Sequence, residues 1–138
     1  MGYTNYWEVK EKPQEFPKEL LKDIKRVKTA AIMNFIDFKI LRLEKKRIII
    51  QGNCEDFCIE VIEPKSRCVG FDSFRFCKTN RHPYDAVIKC VIMLCVNHGI
   101  FSSWSFDGDE EDEEYLAAIE LMKSAGLSDK IVTIEKGE

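Results

Sequence analysis

An α+β fold is what the order of hydrophobic patterns in this chain predicts, with one layer of antiparallel or mixed sheet and about three helices packed mostly on one face. Three observations lead there. Strand-like alternations of apolar and polar residues come in runs rather than singly between helices. One helix-length segment, Ala86 to Val96, is apolar at nearly every position, Lys89 being the exception, so it needs cover on more than one side. Two further segments carry apolar residues at the spacing of ordinary amphipathic helices. The 138 residues, 45% of them hydrophobic, suffice for one core, and the simplest division is a single domain spanning residues 1–138.

The first strand is expected from Tyr3 to Val9, where aromatic residues alternate, with a loop from Lys10 to Pro17. Pro17 opens a helix with Leu20, Ile24, Val27 and Ala31 inward and Lys18, Lys22, Lys25 and Arg26 in solvent. Phe38 to Leu43 and Arg47 to Ile50 flank Glu44-Lys45-Lys46 as a hairpin, Gly52-Asn53 makes the next turn, and Phe57 to Ile62 adds a strand. Glu63 to Gly70 reads as a loop. Phe74 and Phe76 alternate with Arg75 and Cys77 in a strand that leaves through a basic corner, Lys78 to Arg81, into the apolar helix.

Pro83 suits a first helical turn, which places Asn80 or His82 near the N-cap. Asp85 and Lys89 lie one turn apart and can pair. Asn97-His98-Gly99 ends the helix, with Gly99 free to turn left-handed and His98 at the negative end. Ile100, Ser102, Trp104 and Phe106 are expected on one face of a strand. Asp107-Gly108 turns the chain, and acidic residues open a last helix with Tyr115, Ala118, Ile119 and Met122 inward and Gly126 at its end. Ile131 to Ile134 reads as a short terminal strand.

The corner carries the functional expectation. A helix start offers amide groups and a partial positive charge, and here it is surrounded by cations, which suits an anion. Lys78, Thr79, Arg81, Tyr84 and Asp85 are the candidate ligand-binding residues. The same residues also make sense as caps, turns and fasteners of the helix. A catalytic alternative is an enzyme acting on a nucleotide or phosphoester, with Lys78 stabilising charge and Asp85, Asp107 and Asp109 as acid/base groups or metal ligands. Asp107 and Asp109 form a possible acidic site. A third reading takes the acidic run 107–114 as a decoy for a partner that binds nucleic acid, where a solvated helix start explains the same residues.

No P-loop, Gly-x-Ser-x-Gly or paired-His motif is present. The net charge of -3 argues against a broad nucleic-acid surface. The six cysteines include Cys54 and Cys58 at C-x3-C spacing, but no second close pair completes a zinc pattern. Reduced thiols, no metal and no cofactor are therefore the expectation, with Cys77, Cys90 and Cys95 as packing residues. The sequence shows neither a membrane-spanning run nor a signal peptide. It is thus expected to work in a cytoplasm, with a small anionic ligand or a protein as partner.

Four stretches carry a resemblance: Met1-Gly2-Tyr3-Thr4-Asn5-Tyr6-Trp7, Arg47-Ile48-Ile49-Ile50-Gln51-Gly52 followed by Glu55 to Phe57, Phe76-Cys77-Lys78-Thr79 to Pro83-Tyr84-Asp85, and Asp107-Gly108. The chain resembles a family of small uncharacterised proteins of archaea, bacteria and especially tailed phages. It departs from that family at Phe106, where Ser is usual, and at Glu114-Tyr115, where Asp-Trp is usual. The resemblance implies an accessory or host-interaction role, in the host cytoplasm if the protein is viral, and no settled activity.

Overall fold

The computed structural model describes residues 2–9, 15–61 and 74–133. Their elements run β1 (Thr4–Val9), α1 (Lys18–Met33), β2 (Lys39–Leu43), β3 (Arg47–Gln51), β4 (Phe57–Glu60), β5 (Phe74–Lys78), α2 (Asp85–Asn97), β6 (Phe101–Phe106) and α3 (Glu113–Ser124), then a short 3-10 turn at Ser128–Lys130. The class is α+β. The strands do not form one layer, however. They divide into two antiparallel three-stranded sheets, ordered β5-β1-β6 and β2-β3-β4.

The division follows from what each strand can reach. β2, β3 and β4 are joined by short turns and pair with their neighbours in sequence. β1 instead lies between two strands from the second half of the chain. Trp7 on β1 connects the sheets, its ring centroid lying 5.0 Å from Phe57 of β4 and 5.5 Å from Phe101 of β6. Tyr84, just before α2, adds a second connection. Its ring lies so close to Gly52 that a Cβ there would collide with it, and its hydroxyl donates to the Glu55 carbonyl at 2.7 Å.

α2 is the apolar centre, with every residue from Asp85 to Cys95 buried, and α1, α3 and β6 pack around it. Leu20, Ile24, Val27 and Ala31 turn inward on α1 as their spacing predicts, and Asp23 is buried with them. That aspartate accepts from Lys130 at 2.9 Å and lies 3.4 Å from His98 Nε2. His98 is the C-cap of α2 and Gly99 follows at φ 79°.

Some details depart from expectation. The N-cap of α2 is Tyr84, without a side-chain cap, because Asp85 and Ala86 already donate their N–H groups to the His82 and Pro83 carbonyls. On β6 a register shift opposite Glu8 and Val9 puts Phe101 inside and leaves Ser102 exposed. α3 buries Leu121 in addition to Tyr115, Ala118 and Met122, while Ile119 is half-buried. Ile131 to Thr133 is not a strand: the Val132 N–H turns to Met93 Sδ at 3.4 Å instead of to a neighbouring strand. Cys58 is disulfide-bonded, contrary to the expectation of reduced thiols, while Cys54, Cys77, Cys90 and Cys95 are free. An even count of cysteines permits such a bond wherever folding brings two sulfurs into reach. The expected loop 63–70, part of the loop 10–17, Ile62 at the end of the strand expected from Phe57, and Ile134 lie outside the described residues.

Burial is the largest cause that pushes up the pKa of the Cys77, Cys90 and Cys95 thiols and of the Tyr3 and Tyr84 phenols. Above the ordinary thiol and phenol ranges the unfolded chain releases protons that the folded chain keeps, so stability falls as pH rises. Lys89 acts in the opposite sense, since burial lowers its pKa, but it is one group against five. The urea midpoint should therefore hold steady to about pH 8 and decline beyond about pH 9. A midpoint that rises through the same range would show that these groups are not held as described.

Candidate functional site

β5 delivers the chain to the corner beside the N-terminal end of β1. The N–H groups of Thr79 and Asn80 both donate to the Tyr3 carbonyl, at 2.9 and 3.1 Å. The chain then reverses in a tight turn, closed by the His82 N–H on the Thr79 carbonyl at 3.1 Å. Both central residues are left-handed, Asn80 at φ 53° and Arg81 at φ 63°. Asparagine tolerates this conformation, whereas arginine pays roughly 1–2 kcal/mol for its Cβ. Arg81 is held there by what its side chain reaches.

The Arg81 guanidinium lies 2.6 Å from Glu114 and 3.9 Å from Asp112, both near the start of α3. It also stacks over the Tyr3 ring, 4.3 Å from the centroid. Tyr3 donates its hydroxyl to Asp112 at 3.1 Å. Burial, and the charges of Asp85 and Asp112 after it, push the Tyr3 phenol up and keep it a donor. A second cation meets the same ring from inside the core, because Lys89 Nζ lies 4.5 Å from it and 4.4 Å from the Phe106 ring.

Beneath the corner lies a buried ionic centre. Lys89 and Asp85, one helical turn apart on α2, meet at 2.6 Å, with side chains 0% and 2% exposed. Asp85 also accepts from Thr79 Oγ1 at 2.5 Å and Asn5 Nδ2 at 2.8 Å. Charge, a hydroxyl and an amide thus converge on one carboxylate, as a buried anion requires. Burial lowers the Lys89 pKa and Asp85 acts against that fall. Asn5 Oδ1 is buried without a hydrogen-bond partner among the described residues.

The five predicted ligand-binding residues are brought together, but not on equal terms. Thr79, Tyr84 and Asp85 are buried with their polar groups engaged inside the protein. Lys78 and Arg81 are exposed. The Lys78 main-chain N–H donates to Glu55 Oε1 at 2.8 Å, and its side chain runs past Gly2, with Cε 3.2 Å from where a Cβ on Gly2 would lie.

Asp107 and Asp109 are engaged elsewhere. Asp107 accepts from the Thr4 N–H and the Tyr6 hydroxyl, each at 3.0 Å, while Asp109 accepts from the Glu111 N–H at 2.8 Å. Tyr6 and Asn5 project from opposite faces of β1, so the side-chain donors that hold Asp107 and Asp85 point to opposite faces of the sheet. Among the described residues no group of three His, Cys, Asp or Glu side chains is arranged to hold a metal ion, and no helix is long and apolar enough to cross a membrane.

Tyr3 and Asn5 belong to the centre although the sequence assigned them no place in a site, and Glu114, expected only as part of the acidic run 107–114, joins it as the partner of Arg81. Their contributions come from strand pairing and from the approach of α3, neither of which leaves a local pattern.

Replacing Asp85 with Asn would leave the Lys89 ammonium buried without its counter-charge and should cost about 3–5 kcal/mol. The double replacement Asp85→Asn with Lys89→Met should recover much of that loss, as read by urea unfolding. A single variant within 1 kcal/mol or so of the parent protein would contradict the buried-pair account. Comparison with family models, with curated proteins and with solved structures finds no match for this chain.

Proposed function

We propose that the protein is a small binding module that takes a carboxylate- or phosphate-bearing group at the corner formed by residues 76–85, with Lys78 and Arg81 as the cations that meet it. One observation carries this reading. A half-exposed arginine, fixed on left-handed backbone, already holds a carboxylate of its own chain at 2.6 Å. A planar guanidinium suits carboxylate and phosphate alike. Glu114 and Asp112 thus occupy the place of an external anion, which would bind by exchange with Glu114. Thr79, Tyr84 and Asp85 support the corner from below and do not touch the ligand.

The ligand is a free small anion or an acidic segment of a protein partner. The resemblance to small proteins of archaea, bacteria and phages extends the reading to an accessory protein of that origin, acting in the cytoplasm. The enzyme alternative, with Lys78, Asp85, Asp107 and Asp109, gains no support from the geometry, since each carboxylate is bound to its own set of donors.

Thermal-shift titration with phosphate, nucleotides and a short acidic peptide tests the proposal. Saturable stabilisation is expected, lost in Lys78→Ala with Arg81→Ala while the ligand-free melting temperature moves by only a few degrees. Glu114→Gln removes the internal competitor and should strengthen binding several-fold. If Glu114→Gln weakens binding, or the double variant still responds, the corner is not the site.

A further inference from the structure

Helices α1, α2 and α3 end in the same hydrogen-bonded motif, and one of them breaks its residue rule. In each, the N–H two residues past the C-cap returns to a carbonyl five positions earlier: Ile36 to Ala31, Ile100 to Cys95 and Leu127 to Met122. The residue between is left-handed in each case, at Phe35 (φ 60°), Gly99 (φ 79°) and Gly126 (φ 75°). Glycine takes this position because it has no Cβ to strain. At the end of α1 the chain places a phenylalanine there, and the residue is 94% exposed. Ile32 and Met33 beside it are 55% and 72% exposed.

A groove of about 370 Å³ lies next to this knob, lined by Asn34, Ile36, Pro83, Ala86, Ala117 and Leu121 among others. The two chain neighbours of Phe35 help to form its wall, while Phe35 itself faces solvent. Knob and groove on one molecule make a self-complementary surface, the arrangement that a two-fold axis requires.

Charge favours the same occupant. On α1, Lys25 and Arg26 line a second groove together with Met33 and, from α3, Ser124. On the α3 side stands Glu120, 76% exposed and only loosely matched by Lys123 at 3.6 Å. A two-fold pairing that sets α1 of one copy against α3 of the other would bring these opposite charges together.

We propose that this face joins two copies of the chain, each placing its Phe35 in the groove of the other. The strained aromatic is then a binding residue whose backbone cost is recovered on association.

Sedimentation equilibrium of the full chain over a concentration series tests this, with Phe35→Ser and Ala117→Arg as variants at exposed positions. The parent protein is expected to dimerise reversibly and each variant to dimerise at least tenfold more weakly. An equal mixture of the two should pair better than either alone, because one retains the groove and the other the knob. Phe35→Gly should raise the melting temperature of the dilute monomer, by removing the strain, while weakening the dimer. The proposal is overturned if the parent protein is monomeric throughout, if both variants dimerise as it does, if the mixture does not pair, or if Phe35→Gly destabilises the monomer. Co-purification of a monomeric parent protein with an unrelated helical protein on the Phe35 face would likewise overturn it.

Discussion

The ion pair of Asp85 and Lys89 sits where the most apolar helix meets β1, the central strand of the β5-β1-β6 sheet, and its location constrains everything near it. Two opposite charges removed from water are tolerable only when the remaining hydrogen-bonding capacity is also filled. Asn5 and Thr79 fill it, and that requirement fixes β1 and the corner against α2. The rings of Tyr3 and Phe106 close over the ammonium. Tyr3 then carries the influence outward, through its hydroxyl on Asp112 and its ring against Arg81. A surface arginine is thereby positioned by a charge pair that no solvent reaches.

The sequence made the elements legible where period and punctuation agreed. α2 declared itself by its unbroken apolar run, α1 by the spacing of Leu20, Ile24, Val27 and Ala31, and the hairpin of β2 and β3 by its charged turn. The pairing of Asp85 with Lys89 could also be read, since helical geometry is local. Long-range partners were not legible in the same way. Nothing in Tyr3 or Asn5 indicates that they lie beside residues some eighty or more positions later, and the split into two sheets depends on that same pairing. The bulge that hides Phe101 and exposes Ser102 likewise arises from register against β1, which alternation alone does not specify.

The candidate site shows the same boundary. Its residues were named because basic side chains clustered at a helix start, and the structure does gather them at one corner. Their division of labour is visible only in three dimensions: Thr79, Tyr84 and Asp85 face inward, Lys78 and Arg81 outward. The acidic start of α3, which composition alone marks as a solvated run, supplies the carboxylates that neutralise the corner. An internal partner of this kind tunes recognition, because any incoming anion must exceed an interaction already present.

The placement of β1 also has a consequence for how the chain reaches its fold. β1 pairs with β5 and β6, so its hydrogen-bonding edges stay open during synthesis until the last of those strands has emerged. The β2-β3-β4 meander, by contrast, is built from local contacts and can form early. Sequence-distant pairing of this sort slows folding and exposes unpaired strand edges to other chains. A nascent chain halted before residue 106 would keep its first strand without a full set of neighbours, which makes that interval the period of greatest risk for aggregation and the natural point for a chaperone to hold it.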